Sequence, residues 1–159
     1  LRGMLFWLMG DFAFTKASGS VLIAAALAAL AGLAGGQALN VLATGEQQAA
    51  LLGLAVSRTR NTVYLGAAAL TSLAVTTAGT IGFVGLVVPH LLRLCGATDH
   101  RALVPGAALA GGSLLVLADT IARTALAPKQ LPVGAITALI GVPVFLILLR
   151  QAQGRGRLA

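Results

Sequence analysis

Of the 159 residues only 9% are charged and 58% are hydrophobic, whereas soluble domains carry about 25% charged residues, so water is not the main solvent of this chain. The net charge of +7 invites a nucleic-acid reading. However, Arg58, Arg60, Arg93, Arg101, Arg150, Arg155 and Arg157 sit in short connections or at the ends of apolar windows, the distribution of cytoplasmic loops under the positive-inside rule.

Nucleic-acid binding is therefore not expected, and a single cysteine, Cys95, excludes an internal disulfide or a cysteine-based metal cluster. Uncharged windows run over 17–45, 61–92, 102–118 and 130–149, each long enough to cross a hydrocarbon layer of about 30 Å. They leave too few polar residues to coat a soluble globule. The sequence thus predicts an all-α, polytopic transmembrane bundle of about five spans.

The chain opens on LRGMLFWLMG, with neither an initiator Met nor a small-residue cleavage site, as expected of an internal start preceded by another half rather than of a signal peptide. Residues 1–17 are read as an external segment and 18–42 as a first span running inward. The following GEQQAALLG is too short to cross a bilayer. Gly45 and Gly53 mark the ends of a short surface helix over Glu46 to Leu52, inside a cytoplasmic loop covering 43–60. Glu46 heads that helix, where the helix dipole favours a carboxylate. Its apolar set Ala49, Ala50, Leu51 and Leu52, expected to be exposed, calls for a groove on a partner.

The window 61–92 is too long for one span, and the break at AGTIG predicts two, 61–78 and 80–96, joined by a tight external turn. The second bends where Pro89 removes a backbone donor and meets the cytoplasmic interface at Arg93. His90 and Arg93 share a helical face; an arginine snorkelling to the interface and a histidine bonded to a neighbouring loop account for them, with a proton relay as the alternative. Small residues at Gly79, Gly82, Gly85 and at Gly106, Ala110, Gly111 predict close helix approach.

The next span, 103–126, carries Asp119 and Arg123 four residues apart with the acid first, the favoured order for a helical ion pair. Arg123, near the outer end with Lys16 and Lys129, offers a positive docking point for an acidic partner. APKQLP turns outside, a last span covers 133–150, and 151–159 forms a basic cytoplasmic tail. No glycine-rich phosphate loop is present, so any energy from ATP comes from another chain. The four acids, two histidines and one cysteine are scattered, without paired carboxylates or an H-E-x-x-H or G-x-S-x-G pattern. No enzymatic activity, cofactor or metal site is expected from them.

The segments NVLATGEQQAALLGL, GTIGFVGLVVPHLLRLCGATDHRALVP, LADTIAR and LPVGAITALIGVPVFLILL together resemble the C-terminal half of the FecCD-type permeases of ABC importers for cobalamin, haem and iron-siderophores. The similarity covers nearly the whole chain in family order, and LCGATDHR is similar to the cobalamin permeases in particular. It implies a ten-helix permease protomer, a homodimer with a second permease copy in the inner membrane lipid, two cytoplasmic ABC ATPase subunits and a periplasmic or lipid-anchored substrate-binding protein. By position it implies ATPase coupling through Glu46, Ala49, Ala50, Leu51, Leu52 and Gly53. Pro89, His90 and Arg93 fall at the cytoplasmic boundary, and Arg123 at the binding-protein dock. FWLMGDF resembles the short external helix after the family's fifth span. The rival readings are an ion-coupled secondary transporter or channel subunit using His90, Asp119 or Glu46, and a membrane scaffold that transports nothing.

Overall fold

The computed structural model describes Gly10, Phe12 and residues 19–124 and 131–156, apart from the side chains of Ser20, Leu149 and 151–156. Lys16, Lys129, Arg157, most of FWLMGDF and most of APKQLP lie outside the described residues. Six α-helices make up the described chain: α1 (Gly19–Leu42), α2 (Glu46–Leu51), α3 (Val56–Ala78), α4 (Val84–Leu94), α5 (His100–Thr124) and α6 (Val133–Gly156). No strand occurs among the described residues, so the chain is all-α there.

Stretches Val21–Leu42 of α1 and His100–Thr124 are long and apolar enough to cross a membrane, while Val84–Leu94 and Val133–Leu148 are shorter apolar helices. The window predicted over 80–96 is helical only within α4, whose 11 residues reach about 16 Å, half of a hydrocarbon layer. Gly79, at φ 75°, ends α3, and Phe83, at φ 67°, precedes α4. Helix α3 begins at Val56, so Arg58 and Arg60 ride on its first turns.

The chain divides into two compact units. One comprises Leu1–Thr15, Ala78–Leu91 and Ala110–Ala159. Its core is a cluster of Ala118, Ala122, Val133 and Ile136, with Phe12, Leu115 and Leu131 packed against it. Gly141 faces Phe83 so closely that a side-chain carbon there would collide with the Phe83 Cβ and sit 2.8 Å from its Cγ. The Phe83 ring then tilts against Phe145 with centroids 6.5 Å apart, within the range for aromatic pairs. Gly10, at φ +75°, sits against the Thr80 carbonyl, 2.7 Å from where a Cβ would be, and its own carbonyl accepts the Gly134 N–H at 3.3 Å.

The other unit comprises Lys16–Thr77 and Leu92–Leu109. Within it α1 meets the first turns of α5 through two glycines one helical turn apart. A side-chain carbon at Gly36 would lie 2.6 Å from Arg101 Cγ and 2.9 Å from its backbone nitrogen, and one at Gly32 would collide with the Val104 side chain. This is the small-residue spacing that lets membrane helices bring their backbones together, since lipid offers no hydrophobic drive for association. The small residues singled out from the sequence behave differently. At Gly82 and Gly85 a Cβ would meet nothing within 4 Å, and at Gly106 and Gly111 it would make ordinary contacts at 3.6 and 3.5 Å. Spacing alone did not separate glycines facing a neighbour from those facing outward.

Candidate functional site

Helix α2 is built by its flanking glycines. Gly45 adopts φ 112° and Gly53 φ 83°, backbone regions that cost an L-residue with a Cβ. At the C-terminal end the Gly53 N–H donates to the Ala50 carbonyl and the Leu54 N–H to the Ala49 carbonyl, both at 3.0 Å. Those two bonds form a Schellman closure, which satisfies the carbonyls a short helix would otherwise leave open. The same closure ends α4, where Gly96, at φ 96°, donates to the Arg93 carbonyl and Ala97 to that of Leu92, again at 3.0 Å.

The α2 residues divide by exposure. Leu51 is 88% and Leu52 70% exposed, whereas Ala49 is fully buried. Ala49, expected on the exposed face, is thus corrected to an anchor that seats α2, because in a one-and-a-half-turn helix one face must turn inward. Ala50 and Gly53 are exposed. Glu46, expected to stand alone at the head of the helix, accepts a hydrogen bond from Arg60 Nη1 at 2.9 Å with both side chains more than half exposed. That pair is worth about 0–1 kcal/mol. It closes one rim of an open groove of about 350 Å³ lined by Glu46, Gln47, Ala50, Val56, Ser57 and Arg60.

Beside α2 lies a polar cluster that sequence reading did not single out. Asn40, in the last turn of α1, donates from Nδ2 to Asp99 Oδ1 at 2.7 Å. Its Oδ1 accepts the His100 backbone N–H at 2.9 Å and stands 2.7 Å from His100 Nδ1. Since the Asn40 amide nitrogen is committed to a carboxylate, its oxygen is the acceptor, which puts the imidazole proton on Nδ1. Asp99 Oδ1 also accepts the Arg101 N–H at 2.8 Å, the N-cap arrangement that satisfies a donor of the first turn. Arg101 Nη2 reaches back to Gln37 Oε1 at 2.7 Å.

Asp99 lies in the connection outside the apolar helices, and its carboxyl is held below the usual carboxylate range, first by the Asn40 amide and then by the Arg101 N–H. The available signals were Asp99 directly before an apolar run, which reads as an N-cap, and Asn40 at the end of an otherwise apolar helix.

Pro89 lies inside α4, His90 is exposed, and Arg93 is exposed in the last turn, where a cation suits the helix dipole. On α5, Arg123 donates from Nε to Asp119 Oδ2 at 2.8 Å, the expected i,i+4 pair. Glu46 and Asp119, two of the ion-responsive candidates of the rival reading, are therefore each engaged by an arginine. Among the described residues no group of three or more His, Cys, Asp and Glu side chains could hold a metal ion.

The sequence profile of the FecCD transport family matches residues 1–151. The vitamin B12 import system permease proteins BtuC of Salmonella typhi and of Salmonella newport are each 47% identical to the chain over 155 residues, 96% of this chain and 48% of the relative. A solved structure described as an inward-facing conformation of a metal-chelate type ABC transporter superposes with a TM-score of 0.81 at 33% identity, covering 95% of this chain and 49% of the other. The chain therefore spans about half the length of the relatives it matches.

Proposed function

The chain belongs to the FecCD transport family, and from that premise we propose that it forms the C-terminal half of the membrane permease of an ATP-binding-cassette importer. The cargo is a metal chelate, and kinship with vitamin B12 permeases favours cobalamin over haem or an iron-siderophore. The permease lies in the cytoplasmic membrane and works by alternating access, with a second permease copy across the pathway. It moves its cargo without chemically changing it.

The observation that carries this reading is α2, a stub held at both ends by positive-φ glycines that presents Leu51 and Leu52 to solvent. An apolar, preformed knob of this kind suits a groove on a partner, and the partner here is the ATPase subunit. Glu46, Ala50, Leu51, Leu52 and Gly53 form the contact, and Ala49 supports it from behind. Pro89, His90 and Arg93 lie at the cytoplasmic boundary. For Arg93 the bond between Asn40 and Asp99 supports that placement, since it joins the end of α1 to the connection that follows Arg93 within one unit. Arg123 serves as the docking point for a periplasmic or lipid-anchored substrate-binding protein.

Replacing Leu51 and Leu52 together by Asp tests the reading. The ATPase is expected to be lost on co-purification while the helical content of the permease stays unchanged, and undiminished co-purification contradicts the assignment. An Arg123→Glu exchange weakens binding-protein affinity most at low salt, where the charge is least screened; an affinity equal to that of the unaltered chain at low ionic strength removes Arg123 from the dock.

A further inference from the structure

We propose that Asn40, Asp99, His100, Arg101 and Gln37 form a clasp that makes the end of α1, and with it α2, a single moving body with the first turns of α5. The proposal rests on the coupling role assigned above to α2 and concerns the path by which its displacement leaves it.

Three features support it. First, α2 is not loosely tethered to α1. Only three residues separate Leu42 from Glu46, and they are bonded throughout: the Ala43 N–H donates to the Leu39 carbonyl, Thr44 to Val41 and Gly45 to Leu42, at 2.9, 3.2 and 3.1 Å. The Thr44 hydroxyl adds a bond to the Val41 carbonyl at 2.8 Å. A displacement of α2 is thus a displacement of the last turn of α1.

Second, that turn is joined to α5 by side chains from 59 to 64 positions away in sequence. The Asn40 amide is the hub. Its nitrogen holds the Asp99 carboxylate and its oxygen holds two donors of His100, so both ends of one planar group are engaged by consecutive residues. Such a group fixes rotation about the helix axis as well as distance. Immediately beneath it, Gly36 receives the Arg101 backbone without room for a Cβ, and this close approach limits sliding.

Third, the side-chain link in the other direction is weak. Toward α3 the short linker is bonded as well, with the Leu54 N–H on the Ala49 carbonyl at 3.0 Å and the Val56 N–H on the Leu54 carbonyl at 2.8 Å, but the side-chain link is one exposed ion pair across an open groove, which screening and side-chain entropy make a poor transmitter. The side-chain network therefore runs to α5. Arg123, the residue assigned to binding-protein contact, lies in the last turn of the same helix.

The test uses the chain in its assembled transporter, with ATPase subunits and binding protein, reconstituted in liposomes. Asn40→Ala is expected to leave ATPase co-purification and hydrolysis in place while the cargo moved per ATP falls by about fivefold or more, the usual lower bound for a lost coupling. Gln37→Ala, which removes only the outer arm, is expected to cause a smaller loss. A purely structural role would lower assembly and hydrolysis together, and that result overturns the proposal, as does an unchanged ratio of cargo to ATP.

A second measurement reads geometry rather than transport. With Cys95 replaced by Ser, spin labels at Ala43 and Ala108 are expected to keep one distance with and without nucleotide, and to show a broadened distribution once Asn40→Ala is added. A distance that shifts with nucleotide in the intact clasp refutes the single moving body. Should the Leu51 and Leu52 exchange leave ATPase co-purification intact, the coupling assignment fails instead, and the two failures are told apart.

Discussion

Gly35 and Gly36 are neighbours in one helix, and the structure gives them opposite responses to the same substitution. Replacing either by Ala removes the backbone entropy cost of a mid-helix glycine, a gain of about 1 kcal/mol. At Gly35 a new Cβ meets nothing within 4 Å, so that gain is the whole effect. At Gly36 the Cβ would lie 2.9 Å from the Arg101 backbone nitrogen and 3.0 Å from its Cα, atoms that cannot rotate aside. Relief then requires α1 and α5 to separate, which costs about 1–3 kcal/mol as overpacking does elsewhere and strains the Asn40 to Asp99 bond. Gly36→Ala is therefore expected to fall below Gly35→Ala by about 1–3 kcal/mol. Denaturant unfolding of the assembled permease in mixed micelles measures the difference directly. Equal stabilities, or Gly36→Ala the more stable, would falsify the close approach of α1 and α5.

Two further outcomes rest on other contacts. Because Asp99 titrates lower in the folded chain than in the unfolded one, its contribution to stability is fully present above the ordinary carboxylate pKa of about 4 and is lost as pH falls through the lowered folded value. Unfolding followed from pH 7 into that acidic range should show the gap between the unaltered chain and Asp99→Asn closing as pH drops; a gap that widens has the wrong sign. In the other unit, Gly141→Ala should destabilise by about 1–3 kcal/mol because its Cβ meets the Phe83 Cβ. Most of that cost should vanish in a Phe83→Gly background, giving a coupling of about 0.5–3 kcal/mol in a double-mutant cycle, and simple additivity would show that the two residues do not touch.

What could be read from the sequence was whatever depends on neighbours along the chain. Gly45 and Gly53 bracket α2 because a stub that starts and stops within a few residues needs positive φ at its edges, and glycine reports that need locally. Asp119 and Arg123 find each other for a similar reason, since four residues is one helical turn. Burial could not be read this way. Ala49 and Ala50 are the same residue type on the same stub, yet only Ala49 is buried, and the helical pattern does not say which face meets the rest of the chain.

The clasp illustrates the remaining limit and the physical logic behind it. Asn40, Gln37, Asp99 and His100 each have an ordinary local reading: helix-end polar residues, an N-cap and a first-turn histidine. Their meaning comes from meeting across about 60 positions in a chain whose helices gain little from hydrophobic association in lipid. Under those conditions glycines set how near two helices come, and a few polar groups set register, because slipping by one residue would leave the Asn40 amide and the Asp99 carboxylate unpaired. Asp99 is exposed, so such a slip costs directional hydrogen bonds rather than the burial of a charge. Because those bonds hold in one register only, the polar residues at the ends of α1 and α5, few as they are, select that register in a way that the many exposed leucines along the same helices do not.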